Sequence, residues 1–347
     1  MRERTFYFDN VKFILIIFVV FGHLLRSFIE DSETILTIYK VIYTFHMPAF
    51  ILASGFFAKG YYKKGYIKKI AKKLIIPYLI FQLIYSVFYY YLHNQSTFTL
   101  DPFNPHWSLW FLISLFFWHM LLLLFAKFKP TIAISTAVLI GLAVGYIDWI
   151  SNFMSLSRTF VFFPFFLVGY FAKKEHFFAL FKPPVRIGAL IMFAAVFILF
   201  YTNPNINYEW LLGSKPYDAL NAASIGAMFT RLGFYLLSFI MMISFFSFVP
   251  KGQYFFTNLG KNTLYVYLLH GFFVRVFRES DVQNFFNDAE SFLLLAGIAL
   301  LLTLLLSSKL ITAVTQPVIE LSTTRFKSLK TRLTAALKFY RKKYRLD

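Results

Sequence analysis

Residues 9–25 read DNVKFILIIFVVFGHLL. Between its polar ends the stretch is apolar, and with its neighbours it reaches the ~20 residues an α-helix needs to cross a hydrocarbon core. Yet it opens with Asp9 and Lys12 and carries His23 near its far end. An ionisable group at membrane depth costs about 3 kcal/mol or more, so each needs a partner, a wet cavity or a function. At ~100° per residue, the step from Lys12 to His23 ends about 20° past three full turns. The two side chains share one helix face, roughly 16 Å apart along the axis. Asp9 and Arg26 lie three residues beyond them, near the same face. Gly22 lets a neighbouring backbone or a ligand approach beside His23. A lysine snorkelling to the membrane edge and a core histidine bonded to another span give the same pattern.

The whole chain agrees with a membrane reading. Of 347 residues, 59% are hydrophobic and only 15% charged, against about a quarter charged in soluble domains. The mean hydropathy is +0.62. The expected fold is all-α, with about ten transmembrane helices near 9–28, 34–58, 70–92, 107–126, 131–148, 158–172, 186–202, 226–249, 261–278 and 291–315. The sixth is short and is expected to be tilted or broken. The first resembles a signal peptide, but FGHLLRSFIE offers no small-residue cleavage site, so it is read as a retained span. With no cysteine, the chain has no disulfide, thiolate metal site or cysteine acyl carrier.

The net charge of +19 invites a nucleic-acid reading, and its distribution rejects it. In a ten-span arrangement, one side holds only 7 of the 35 basic residues but 11 of the 16 acidic ones. That asymmetry is the positive-inside signature and puts both termini in the cytoplasm. Residues 1–318 read as the membrane domain and 319–347 as a basic cytoplasmic tail. In that tail Phe326, Leu329, Leu333, Leu337 and Tyr340 recur at helical spacing, as in an amphipathic helix on anionic lipid.

Other polar groups interrupt the spans. His46 precedes Met47-Pro48, where a kink is expected, and either lines a cavity or is a satisfied core histidine. Tyr267 and His270 stand one turn apart in the ninth span, with the same two readings for the histidine. Lys69, Lys72 and Lys73 cluster at the cytoplasmic edge of the third span, suiting a phosphate-bearing molecule or serving as a topology signal. Trp107 and Trp110 fit an interfacial aromatic belt, or a platform for sugar rings. Arg275 and Arg278 fall near the outer edge.

In order, DNVKFILIIFVVFGH, FHMPAFILASGFF, KKIAKKLIIPY, LWFLISLF, FPFFLVGYF and GKNTLYVYLLHG resemble the acyltransferase-3 family of integral membrane O-acyltransferases, most closely its fucose 4-O-acetylase-like branch. The resemblance covers almost the whole chain. The family motif of a basic residue, ten residues and a histidine falls on Lys12 and His23, with lysine where many members have arginine. Its basic pair ahead of a proline falls on Lys69 with Lys72 or Lys73, ahead of Pro77. A basic tail stands where many members continue into an extracytoplasmic esterase-like domain. The resemblance implies O-acyl transfer at the plasma membrane of a bacterium. The co-substrate is acyl-CoA, most simply acetyl-CoA, and no cofactor is tightly bound. Lys69, Lys72, Lys73 and Lys12 hold the donor's phosphates. His23 acts as general base or transient acyl carrier. His46, Trp107, Trp110, Tyr267 and His270 line the acceptor's place. The acceptor is a cell-envelope glycan or lipid-linked sugar, and no metal is expected.

Two other classes compete. A glycolipid transporter or flippase would also carry buried charges along a pathway. A polyprenyl-linked glycosyltransferase would place acids in a sizeable first outer loop, but Glu30, Asp31 and Glu33 occupy a very short one.

Overall fold

The computed structural model describes residues 6–286, 291–331 and 334. Among them there are thirteen α-helices and no strand. In chain order they are α1 Phe6–Leu25, α2 Glu33–Phe56, α3 Tyr66–Leu92, α4 Trp110–Phe125, α5 Pro130–Ala143, α6 Leu156–Phe171 and α7 Lys174–Ala179. They continue with α8 Pro183–Thr202, α9 Glu209–Leu212, α10 Ile225–Phe248, α11 Thr263–Glu279, α12 Ser291–Leu306 and α13 Lys309–Ile319. Each stretch expected to span is helical. Among the described residues, six helical stretches are long and apolar enough to cross a membrane alone: α1, α2, α3, Phe153–Phe171, α8 and α10. The bent pair α12–α13 makes a seventh if counted as one span. α4 and α5 are shorter apolar helices.

The tenth expected span is broken. α12 and α13 meet at 66° across Ser307 and Ser308. Ser307 Oγ turns back to the Thr303 carbonyl at 2.7 Å, and the Ser308 side chain caps α13 by accepting from Ile311 N–H at 3.3 Å. Adjacent serines that bond locally favour a new helix start over continuation. The sixth span begins instead with a 3₁₀ turn at Phe153–Ser155 that feeds into α6. Beyond α13, residues 324–331 are helical and Arg325 docks on Asn262 Oδ1 at 3.0 Å. Leu333, Leu337 and Tyr340 of the expected amphipathic tail lie outside the described residues.

α1 is the central post. It packs against α2, α11, α12 and the turn Thr257–Lys261. Its polar start is an anchor. Asn10 Nδ2 donates to the carbonyls of Pro250 and Gly252 at 2.9 and 2.8 Å, and its Oδ1 accepts from Thr257 Oγ1 at 2.7 Å. α8, by contrast, leaves Ile187, Leu190, Ile191 and Ile198 at least 60% exposed, as a lipid-facing helix must.

α2 packs on α6 through a reciprocal close approach. A Cβ on Gly169 would lie 1.9 Å from the Leu52 carbonyl oxygen, and one on Gly55 would lie 2.0 Å from that of Phe166. Small residues at such crossings let helix backbones touch where apolar solvent supplies no hydrophobic drive. Gly169→Ala should therefore destabilise the bundle by roughly 1–3 kcal/mol or more. Heating the detergent-solubilised protein and following its monodisperse fraction will show an earlier loss than in Gly188→Ala, where a Cβ meets nothing within 4 Å.

The orientation read from basic residues is also testable, because the protein has no cysteine of its own. Tyr62 and Phe98 are 73% and 48% exposed on connections at opposite ends of α3. In intact cells, a membrane-impermeant maleimide should label Phe98→Cys and spare Tyr62→Cys until the cells are lysed.

Candidate functional site

His23 sits where two cavities meet. The inner one, about 170 Å³, is lined largely by apolar side chains of α1, α2, α4 and α11, among them Ile16, Phe50, Leu112 and Leu264. It also reaches Leu74 of α3 and Thr263 at the start of α11. The other, about 290 Å³, lies toward the opposite end of α1 and is lined by Arg26, Tyr39, Tyr43, His46, Trp107, Arg158, Arg275 and Arg278 with their neighbours. His23, Met47 and Trp110 line both.

The end of α1 explains why His23 is held so firmly. Ser27 N–H turns to the Leu24 carbonyl, so the His23 carbonyl loses its partner four residues on. Arg278 Nη2 of α11 takes it at 2.6 Å. Gly22 clears space on the other side. A Cβ there would stand 3.0 Å from the Tyr43 ring, and that ring's hydroxyl comes within 3.3 Å of His23 Nδ1. What approaches beside Gly22 is a tyrosine side chain of α2, where a backbone or a ligand was expected. The Trp107 ring packs against the imidazole at a tilt, its centroid 4.3 Å from that of His23.

Trp107 is itself positioned by the connection between α3 and α4. Gln82 Nε2 donates to the carbonyls of Asp101 and Asn104 at 2.6 and 2.9 Å, and Gln82 Oε1 accepts His106 N–H at 2.9 Å. Asp101 Oδ1 accepts Phe103 N–H and its Oδ2 accepts Asn104 Nδ2, at 2.8 and 2.6 Å. These bonds hold the Asp101 carboxyl below the usual carboxylate range. Tyr267 of α11 donates to the Ser108 carbonyl, fixing the next residue. The connection between α3 and α4 is therefore folded down onto the helices, and its tryptophan reaches the imidazole.

The histidines divide by role. His270 is fully buried, stacks on His23 with centroids 5.4 Å apart, and lines neither cavity. Its Nδ1 lies 3.0 Å from the Val266 carbonyl, which can only accept, so Nδ1 carries a proton. His46 makes the same bond to Ile42 at 2.9 Å and lines the outer cavity. α2 runs on through Pro48 as one helix.

The lysines stand apart from the imidazole. Lys12 pairs with Asp9 at 2.9 Å and lies over the Phe57 ring. Lys69, Lys72 and Lys73 are exposed on the first turns of α3, and Leu74, next in sequence, lines the inner cavity. The structure brings His23, His46, Trp107, Trp110, Tyr267 and His270 into one neighbourhood, but only His46, Trp107 and Trp110 of the expected acceptor residues line the arginine-bearing cavity; Tyr267 lines the apolar one and His270 lines neither, because its ring is packed behind that of His23. The sequence reading missed the roles of Tyr39, Tyr43 and Arg158. Tyr39, Tyr43 and His46 follow one another at helical steps of four and three, a stripe visible in α2 once His46 is suspected. Arg158 was legible as an arginine on the side that a ten-span reading leaves poor in basic residues.

A family model described as an acyltransferase domain matches residues 5–311, nearly the full membrane portion of the chain. The chain belongs to this acyltransferase family. Over 58 residues it is 47% identical to nodulation protein NolL of Sinorhizobium fredii, a match spanning 16% of this chain and 16% of that protein. No solved structure matches the chain.

Proposed function

We propose that this multi-pass membrane protein moves an acyl group, most simply acetyl, from acyl-CoA to a hydroxyl of a cell-envelope glycan or glycolipid at the plasma membrane. The observation that carries this reading is the meeting of two unlike cavities at one imidazole. An apolar slot suits the thioester and its linking arm. A polar cavity suits a sugar. Family membership supports acyl transfer as the chemistry.

In this reading Lys69, Lys72 and Lys73 gather the phosphates of CoA at the cytoplasmic edge, with the Lys12–Asp9 pair close to the connection that leads to them. The acyl end enters the inner cavity past Leu74 and reaches His23. In the tautomer that donates Nδ1–H to Tyr43 Oη, His23 keeps a lone pair on Nε2. The acceptor O–H gives its proton to Nε2 while its oxygen attacks the thioester carbonyl carbon. The C–S bond then breaks, and the departing CoA sulfur takes the proton from the imidazolium. Thioester and alcohol become ester and thiol, with no charge left on the protein. Trp107 and Trp110 line the cavity offered to the acceptor and hold its arginines, and Tyr43 is a positioning residue for His23.

His23→Ala should lower kcat for acetyl transfer by about 10²–10⁴. Tyr43→Phe should lower kcat about tenfold, roughly 1.4 kcal/mol, and leave the KM for acetyl-CoA in place, a split that general misfolding does not produce. Radiolabelled acetyl-CoA with purified protein in nanodiscs measures both. Full transfer by a monodisperse His23→Ala protein sinks the assignment. Glycolipid movement with no acyl-CoA consumed by the wild type sinks the acyltransferase reading in favour of transport.

A further inference from the structure

The outer cavity carries far more positive charge than general-base chemistry needs. On the side of the membrane where only 7 of the 35 basic residues fall, four arginines line this one space: Arg26, Arg158, Arg275 and Arg278. Topology cannot account for them, because the positive-inside bias disfavours basic residues there. They come from three separate segments, α6, α11 and the residues following α1, so the cluster is made by the fold.

Among the described residues these cations have almost no carboxylate to face. No Asp or Glu lines the cavity. Arg26 has one loose contact, 3.7 Å from Glu30, whose side chain is 84% exposed. Arg158, Arg275 and Arg278 have no ion-pair partner among the described residues. They lean instead on aromatic faces. Arg158 lies 5.1 Å from the Trp110 ring centroid, while Arg275 and Arg278 lie 5.1 and 5.3 Å from that of Trp107. Stacking orients a guanidinium plane without neutralising it, and although Arg278 commits Nη2 to the His23 carbonyl and Arg26 commits Nη2 to Tyr208 Oη, neither bond removes the positive charge. The Nε atoms of Arg275 and Arg278 are buried without a partner. Two guanidiniums against one indole repel each other, and a low-dielectric wall strengthens that repulsion. An anion with several oxygens, gripped by planar forks, relieves it.

We infer that this cavity is an anion site for a phosphate or diphosphate ester on the molecule to be acylated, so that the acylated hydroxyl belongs to a phosphorylated sugar or polyol. The inference rests on the acyltransferase reading. It assigns the anion to the acceptor because the arginines lie across His23 from the inner cavity and from Lys69, Lys72 and Lys73. It favours phosphate over a sugar carboxylate because four cations outnumber the single charge of a carboxylate. Two sources share this chemistry: a sugar linked to a polyprenyl diphosphate, and a glycerol phosphate polymer.

The test compares acceptors with the full-length protein in nanodiscs and radiolabelled acetyl-CoA. The probes are a hexose methyl glycoside, the matching hexuronate glycoside, hexose 1-phosphate, a polyprenyl-diphosphate-linked hexose and a short glycerol phosphate polymer. At least one phosphorylated probe should be acylated with a kcat/KM ten or more times that of the methyl glycoside and of the hexuronate. The faster of the last two identifies the source. In Arg158→Gln/Arg275→Gln that preference should collapse through a raised KM for the acceptor. A variant that instead raises the KM for acetyl-CoA would put the donor's phosphates at the arginines and overturn the inference. So would equal use of the phosphorylated and neutral probes by the wild type. Binding of hexose 1-phosphate, read without turnover from tryptophan fluorescence against the methyl glycoside, separates the two levels. Preferential binding with no transfer to any probe overturns the acyltransferase reading and leaves the anion site standing. Absence of preferential binding overturns the anion site itself.

Discussion

The bond from Arg278 to the His23 carbonyl is the joint on which the site depends. It satisfies the backbone group that the end of α1 leaves open. It also ties the helix that carries the imidazole to the helix that carries two of the outer arginines. Inside a membrane no water stands ready to replace such a partner, so the bond fixes the two helices in register as well as bonding them. From that joint the rest follows. Tyr43 reaches Nδ1 because Gly22 gives it room, Trp107 packs against the ring, and the connection between α3 and α4 is folded down by Gln82. At the other end, Asn10 secures the start of α1 to the turn before α11, so the two helices are tied at both ends.

The arrangement separates two kinds of positive charge. Lysines on the first turns of α3 are exposed, and each alone reads equally as a topology signal. Arginines on the other side are stacked on tryptophans and held in a cavity. The first kind suits capture of a soluble polyanion from water. The second suits a ligand whose geometry matters. His23 lies between them, at the boundary between an apolar slot and a polar one, where a thioester and a hydroxyl with opposite solvation preferences can meet.

Much of this was readable in the sequence. The expected spans found their helices because long apolar runs have few alternatives in a bilayer. The Lys12–His23 stripe was readable because helical geometry fixes which residues share a face. What the stripe meets was not readable. Tyr43 is twenty residues away and Arg278 more than two hundred and fifty, and their approach depends on how helices cross. Asp9 and Asn10 look like a polar edge in sequence, yet Asn10 is a buried anchor whose partners lie some 240 residues on. The break in the last span hides in a pair of serines inside an apolar run. The arginine cavity is the largest omission, since each arginine alone reads as an interfacial residue and only the fold brings four together.

The central claim is that acyl donor and acceptor meet at His23 through the inner and outer cavities. Photolabelling tests it most directly. An acyl-CoA with a photoreactive group in a short acyl chain is irradiated with the protein, and the modified residues are mapped by mass spectrometry. The account predicts labels on the inner-cavity wall, at Ile16, Phe50, Leu112 or Leu264, suppressed by excess acetyl-CoA. Competed labelling confined to the membrane-facing helix α8, or to the outer cavity alone, would contradict it.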